Sequence, residues 1–176
     1  CAILGTLIML TVRKHKKSGK ILEAQSLLPE MLPGIVLVIG IMLFWNDIYS
    51  LLPLYNTMVI LVITYVILFL PYTVQYVTSA FTQMSESLTE AGRVFGGSSC
   101  YIFRHITLPL ILKGVCAGWM MTFIISVREL VAPSLIAPPN TLVISTYIMR
   151  EFEQGSVSLG MSMAVLCVAI TVSALM

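Results

Sequence analysis

Charge is scarce in this sequence: only 10% of its 176 residues are Asp, Glu, Lys or Arg. Soluble domains carry about 25%, so this composition excludes an ordinary soluble domain. The gaps between charges are long, with none over residues 48–85 and none over residues 114–127. A helix needs about 20 mainly apolar residues to cross roughly 30 Å of bilayer hydrocarbon. The sequence therefore predicts an all-α fold, a polytopic transmembrane helical bundle.

Motifs that mark catalytic and nucleotide-binding sites are also missing. The sequence has no GxxxxGK[ST] phosphate loop, no HExxH metal pair and no GxSxG nucleophile turn. No Asp, Glu or His falls at the centre of a predicted span, where a charge costs at least about 2.5–3.5 kcal/mol. We therefore expect no enzyme activity, no cofactor, no metal site and no proton relay in this chain. The cysteines share no CxxC spacing and are interpreted as small buried hydrophobes; they are Cys1, Cys100, Cys116 and Cys167.

The basic residues are concentrated in two clusters. The first consists of Arg13, Lys14, Lys16, Lys17 and Lys20, and the second of Arg93, Arg104 and Lys113. By the positive-inside rule, both clusters face the cytoplasm. Two predicted spans lie between the two clusters. Because an even number of crossings returns the chain to the side from which it started, both clusters can lie on the same side of the membrane. A short loop between spans cannot wrap a duplex, so no nucleic-acid partner is expected.

About five apolar segments are expected in the membrane, the first and last of them truncated. They cover about residues 1–12, 31–45, 56–76, 110–127 and 159–176. A polar and basic loop over residues 13–30, with a short amphipathic piece around 21–28, is expected to join the first two. Pro71 is expected to kink the third near its inner end, and Trp45 and Tyr49 suit the far interface. Because neither end resembles a natural terminus or a signal peptide, residues 1–176 are interpreted as one domain from a longer polypeptide.

Residues 130–158 are ambiguous. The stretch 130–149 has no charge, yet it contains Pro133, Pro138 and Pro139. Unsatisfied backbone groups in lipid cost several kcal/mol, so we expect an extracytoplasmic, re-entrant or interfacial segment with a short helix over about 141–152. A complete span over 130–149 is the alternative, and it would invert the last helix.

The polar stretch from Glu90 to Pro109 carries the most specific pattern. It reads Glu90-Ala91-Gly92, three residues, Gly96, nine residues, and then Ile106-Thr107-Leu108-Pro109. Gly96 and Gly97 permit positive φ, which predicts a sharp turn into a second helix over about 99–106. Pro109 is expected to start the following span.

An apolar stripe runs along the first helix of this stretch. Leu88, Ala91 and Phe95 are spaced three and then four apart, so they share one helix face. On the water side of a membrane such a stripe indicates a protein partner. A solvated loop folded against its own bundle is the alternative.

The spacing resembles the cytoplasmic Glu-Ala-Ala loop of binding-protein-dependent ABC importer permeases, with Gly92 in place of the usual second Ala. The resemblance implies a type I importer permease fold in which residues 80–109 form a cytoplasmic ATPase-docking loop. Glu90 would be a polar contact to the ATPase and Gly96 the turn. The ATPase-coupling residues that it implies are Glu90, Ala91, Gly92, Phe95, Gly96, Ile106, Leu108 and Pro109.

The same resemblance implies the partners and the location. They are an ATPase dimer that binds ATP and Mg²⁺, an extracytoplasmic solute-binding protein, a second permease half, fused or separate, and the lipid bilayer. The chain would be a multi-pass protein of the plasma (inner) membrane, with the docking loop in the cytoplasm. A secondary transporter, a channel and a membrane anchor without conduction are the alternatives from other classes.

Three short stretches resemble the ferric-iron type of these permeases. They are Leu70-Pro71-Tyr72, Arg128-Glu129-Leu130 and the short outer segment over about 141–147. The resemblance implies ferric iron as the substrate, with polyamines, thiamine, phosphonates and oxyanions as alternatives. Arg128 and Glu129 follow a predicted span, so they either reach water at the interface or line an outer vestibule of the pathway.

Overall fold

The computed structural model describes residues 1–14 and 16–175, so the terminal Met176 of the last predicted span lies outside the described residues. Every regular element among them is a helix, which confirms the all-α prediction. The helices are α1 (Ala2–Lys14), α2 (Lys16–Met31), α3 (Gly34–Asp47), α4 (Met58–Gln83), α5 (Glu86–Val94), α6 (Ser99–Ile102), a π turn (Phe103–Thr107), α7 (Leu108–Val127), α8 (Val131–Ile136), α9 (Ile144–Glu153) and α10 (Val157–Leu175).

Three helices of the described chain are long and apolar enough to cross a bilayer. They are Met58–Gln83, Ser99–Val127 and Val157–Leu175. A fourth span results if the interrupted pair Gly19–Met31 and Gly34–Asp47 counts as one. The five predicted segments thus correspond to these three long helices, to α3 and to α1, of which the last two are short.

Two of the local predictions were wrong. Most of the expected polar loop over residues 13–30 lies in the helix α2 (Lys16–Met31); the segment contains Leu, Glu, Ala, Lys and Gln, which are good helix formers. Pro71 does not lie near the end of its helix, because α4 continues through it to Gln83. Pro71 is fully buried, and surrounding helices can satisfy the backbone groups that a proline frees.

The interpretation of the cysteines as buried was also wrong. All four thiols are free; Cys100 and Cys116 are exposed, while Cys1 and Cys167 are partly buried. Cys116 lies on α7 and Cys167 on α10, two helices that are apolar on all sides. Apolar neighbours in the sequence therefore do not separate an exposed helix face from a core position here.

The chain divides into two compact units, and the first consists of residues 1–27 and 70–122. Its core residues are Met9, Val74, Val77, Phe81, Met84 and Ile111. Glycines let α7 approach α4 closely: a Cβ on Gly114 would lie 2.4 Å from the Ala80 Cβ. A buried hydrogen bond of 2.8 Å joins the hydroxyls of Thr73 and Thr122 across the same two helices. Small residues and hydroxyl pairs are typical of membrane helix packing.

The second unit consists of residues 28–69 and 123–176. Its buried core is Val38, Ile60, Ala132 and Ile136, which brings α8 against α3. α9 packs against α10, where a Cβ on Gly160 would lie 3.3 Å from the ring of Phe152. The short helix expected over about 141–152 is found at Ile144–Glu153. That residues 130–158 are re-entrant or extracytoplasmic remains a prediction.

Candidate functional site

The elbow (residues 85–109) consists of two helical segments joined by a tight turn. α5 ends in a Schellman turn, in which the Gly97 N–H donates to the Gly92 carbonyl and the Gly96 N–H donates to the Arg93 carbonyl, each at 2.9 Å. Gly96 has φ +80°, a left-handed conformation that costs other residues about 1–2 kcal/mol. The chain therefore turns at Gly96, as the sequence indicates. Ser98 then accepts a hydrogen bond from the Tyr101 N–H and starts the second helix.

Contacts between small and branched residues hold the two arms of the elbow together. A Cβ on Gly97 would lie 2.8 Å from the Gly92 carbonyl oxygen, so this position requires glycine for space and not for φ. A Cβ on Gly92 would lie 2.9 Å from the Ile106 Cδ1 and 3.1 Å from the Ile102 Cγ1. Ile102 is buried. Gly92 and Ile106 are therefore internal contacts of the elbow.

The tip (Val94 and Phe95) presents apolar side chains to the surroundings. Val94 is 85% exposed and Phe95 is 90% exposed. Leu88 and Ala91, the other members of the predicted stripe, are exposed on the same helix. Large apolar side chains clustered on one exposed edge typically mark an interaction site.

Glu90 does not lie at the tip. It lines a cleft of about 410 Å³ together with Arg13 from α1 and Arg93 from α5. Its side chain is exposed, so it remains available to a partner that reaches into the cleft.

The second arm of the elbow continues directly into a long apolar helix. Residues Ser99–Val127 form one continuous helix of 29 residues, within which α7 begins at Leu108, next to Pro109, after the π turn. The Leu108 N–H donates to the Phe103 carbonyl, five residues back, in the π turn. Pro109 lacks an N–H, and its ring crowds the carbonyl of His105. The wider π turn accommodates both effects without breaking the helix.

The structure separates the predicted coupling residues into two groups. Exposed positions, which a partner can contact directly, are Glu90, Ala91, Phe95 and Pro109. Internal or turn positions, which set the shape of the elbow, are Gly92, Gly96, Ile106 and Leu108. Sequence reasoning missed Val94 at the tip and the steric requirement at Gly97. Val94 is next to Phe95 in the sequence and Gly97 is next to Gly96. Proximity to a predicted site residue is therefore the only sequence signal that could have indicated these two positions.

Glu129 caps α8. Its Oε1 accepts hydrogen bonds from the Val131 N–H at 3.0 Å and from the Ala132 N–H at 3.1 Å, where a carboxylate also suits the helix dipole. Its backbone carbonyl accepts a hydrogen bond from the Ser145 hydroxyl. Arg128 is exposed and lines an apolar cleft of about 300 Å³. Glu129 therefore positions α8 and α9, and a vestibule role for either residue remains a prediction.

Metal-ligating side chains are dispersed. Within residues 1–14 and 16–175, no three His, Cys, Asp or Glu side chains are grouped so that they could hold a metal ion. Tight binding of Fe³⁺ requires several hard oxygen ligands. A passing ferric ion would meet no preformed cage of such groups in the described part of the chain.

Comparison with known proteins gives a family match along almost the entire chain. The family model described as "Binding-protein-dependent transport system inner membrane component" matches residues 2–176.

Individual relatives are named for different substrates. An Fe(3+)-transport system permease protein of Haemophilus influenzae is 33% identical over 104 residues, which cover 59% of this chain and 20% of that protein. A Salmonella typhimurium protein named for 2-aminoethylphosphonate transport is 24% identical over 173 residues, 98% of this chain and 64% of its own length. A spermidine/putrescine transport system permease protein of Escherichia coli K12 is 27% identical over 139 residues, 78% of this chain and 51% of its own. The chain thus spans less than two thirds of each relative.

Proposed function

The chain belongs to the family of binding-protein-dependent transport system inner membrane components. We propose that it is part of the permease of an ATP-driven importer. In this proposal its helices form part of the pathway across the inner membrane. A separate ATPase dimer binds ATP and Mg²⁺, and an extracytoplasmic binding protein delivers the solute. A second permease half completes the pathway.

The elbow is the proposed ATPase-docking surface, and the exposed tip is the observation that carries this assignment. Fully burying a side chain such as Phe95 is worth about 1.5–3 kcal/mol relative to leaving it exposed. Phe95 is 90% exposed at the end of a turn that the Schellman hydrogen bonds hold in shape. A rigid apolar knob of this kind suits insertion into a cleft of a partner protein. Glu90, which lies on α5 and lines the cleft next to the elbow, would add a polar contact.

The connection from the elbow to the membrane helices supports a role in coupling. Because Ser99–Val127 is one continuous helix, movement of the elbow is carried directly into α7. α7 is held against α4 at Gly114 and through the hydrogen bond between Thr73 and Thr122. Closure of the ATPase dimer on ATP would therefore move two membrane helices together.

The docking role is tested by replacing Phe95 with Ser and measuring the affinity of the purified permease for its ATPase. Loss of the buried ring should weaken binding about ten- to hundredfold and reduce ATP-driven uptake in parallel. Tyr49→Ser is the matched control, because Tyr49 is also an exposed aromatic residue, 50% exposed, and is predicted on the opposite side of the membrane. Unchanged ATPase affinity in Phe95→Ser would refute docking through the tip.

Ferric iron is the proposed substrate. It is supported by the ferric-type stretches Leu70-Pro71-Tyr72 and Arg128-Glu129-Leu130 and by the iron-transport relative that is 33% identical. The test is uptake by the reconstituted complex when it is offered binding proteins loaded with Fe³⁺, spermidine or 2-aminoethylphosphonate. Uptake of a solute other than Fe³⁺ would overturn the substrate and leave the docking role intact.

A further inference from the structure

A cleft of about 410 Å³ opens beside the elbow, at the level where two apolar helices end. Arg13 is the first charged residue after twelve uncharged ones in the sequence, and it stands one residue before the end of α1. Phe81, on the opposite wall, lies two residues before the end of α4. From these helix ends we expect the cleft to lie near a membrane interface, and not inside the hydrocarbon.

The lining of the cleft combines positive charge, hydroxyl groups and apolar walls. Arg13 and Arg93 carry two positive charges and Glu90 carries one negative charge, which leaves a net charge of +1. The remaining lining residues are hydroxyl-bearing (Thr89, Ser99 and Thr107) or apolar (Leu10, Phe81, Ile102 and Phe103). Arginine and hydroxyl groups donate hydrogen bonds to phosphate oxygens, while the apolar walls suit the glycerol and upper acyl region of a lipid.

The guanidinium of Arg13 is half-buried and makes only weak contacts with other described residues. It stacks 5.5 Å from the centroid of the Phe81 ring, and its Nη1 lies 4.0 Å from the Met84 Sδ, a weak acceptor. No carboxylate among the described side chains comes within 4.0 Å of it. A guanidinium has five N–H donors, so most of its hydrogen-bonding capacity is open to a ligand in the cleft.

We infer that this cleft binds a phosphate group, with Arg13 and Arg93 as its two anchoring residues. An anionic phospholipid headgroup of the adjoining leaflet is one source of that group, and a soluble phosphate is the other. The basic residues that follow Arg13 in the sequence (Lys14, Lys16, Lys17 and Lys20) form the kind of juxtamembrane cluster that attracts anionic lipids. Because Arg13 belongs to α1 and Arg93 to α5, the bound phosphate would bridge the membrane helix and the elbow. This inference does not depend on transport or on the ATPase.

The test measures lipid binding to the purified protein, assembled with its partners, by native mass spectrometry. Phosphatidylglycerol and phosphatidylcholine are titrated separately, each with and without millimolar inorganic phosphate. Wild type is expected to retain phosphatidylglycerol preferentially. Arg13→Gln and Arg93→Gln should each weaken that binding about fivefold, and Arg13→Lys, which keeps the charge, should lose less. Arg104→Gln is the matched control, since it removes one charge from the same elbow but does not line the cleft.

The arms of the experiment separate the possible outcomes. Lipid binding that survives inorganic phosphate identifies the headgroup as the source. Displacement of the lipid by inorganic phosphate keeps the site but assigns it to a soluble phosphate. Equal phosphatidylglycerol affinity for wild type and both Gln variants, or an equal loss in Arg104→Gln, overturns the inference. Thermal melting of each variant shows whether a loss of binding merely reflects unfolding.

Discussion

Replacing Gly96 isolates the contribution of backbone conformation to the elbow. A Cβ at Gly96 would have no atom within 4 Å, so a substitution there creates no clash. The residue nevertheless has φ +80°, which costs an L-residue about 1–2 kcal/mol. Asn tolerates this conformation better than Ala, and a β-branched residue tolerates it worse. We therefore expect the stability of the turn to fall in the order Gly, Asn, Ala, Val.

The size of this conformational strain can be measured at one backbone amide. The Gly97 N–H donates to the Gly92 carbonyl across the turn, so its hydrogen exchange reports how often the turn opens. A strain of about 1–2 kcal/mol corresponds to an opening equilibrium about 5–30 times larger. In Gly96→Ala, exchange at Gly97 should therefore accelerate about 5–30-fold, measured by hydrogen–deuterium exchange mass spectrometry of the reconstituted protein. If ATPase docking requires the closed turn, the affinity should fall in the same order as the protection.

Gly40→Ala is the control for this series. A Cβ at Gly40 also meets no atom within 4 Å, but Gly40 lies inside α3, where φ is ordinary. There Ala should stabilise the protein by about 0.4–1 kcal/mol through the unfolded state. Exchange at Gly97 that is equally slow in Gly96→Val and in wild type would refute the reasoning, because it would mean that the left-handed conformation contributes nothing.

The other predictions concern packing and capping. Gly114→Val should lower the melting temperature in detergent, because even its Cβ would lie 2.4 Å from the Ala80 Cβ and overpacking costs about 1–3 kcal/mol. Thr73→Val should lower the stability of the protein by about 0.6–1.7 kcal/mol, because it removes the 2.8 Å hydrogen bond to Thr122. The double variant Thr73→Val/Thr122→Val should recover part of that stability, because no unpaired hydroxyl remains. A double variant as unstable as the sum of both single variants would contradict this pairing. Glu129→Ala should destabilise the start of α8 by about 0.5–2 kcal/mol, seen as faster amide exchange there, whereas unchanged exchange would show that the cap is unimportant.

The turn and the exposed stripe of the elbow were predictable because both are local properties. A glycine after an amphipathic segment indicates a C-terminal turn, and residues spaced three and four apart share a helix face. The contact between Gly92 and Ile106 was not predictable, because it joins positions fourteen apart whose distance depends on how the turn closes. The sequence therefore indicated that Gly92 matters but could not indicate that it acts inside the elbow.

Apolar sequence surroundings misled the prediction for the cysteines for a different reason. In a membrane helix the exposed face is as apolar as the buried one, so periodicity no longer separates them. Cys116 illustrates this, since it lies in an apolar helix and is nevertheless exposed. The capping role of Glu129 had a usable signal that was not used: an acidic residue directly before a short helix favours an N-terminal cap.

The π turn sets the angular register between the elbow and the membrane core. At about 100° per residue, the buried residues Thr107, Ile111, Gly118 and Thr122 fall within an arc of about 60°, but Ile102 would lie on the opposite side of a regular helix. The π turn fits one additional residue into the backbone hydrogen-bond ladder of the helix, so the rotation between Ile102 and Ile111 is about 100° smaller than in a regular α-helix. Ile102 therefore lies within about 80° of Ile111 around the helix axis. A single-residue deletion that converts this turn into regular α-helix would consequently leave the tip where it is, because eight regular residues also turn by about 800°. Straightening the turn at constant length would instead swing the tip by about 100° around the helix axis, so the π hydrogen-bond pattern of this stretch decides the direction in which the knob points.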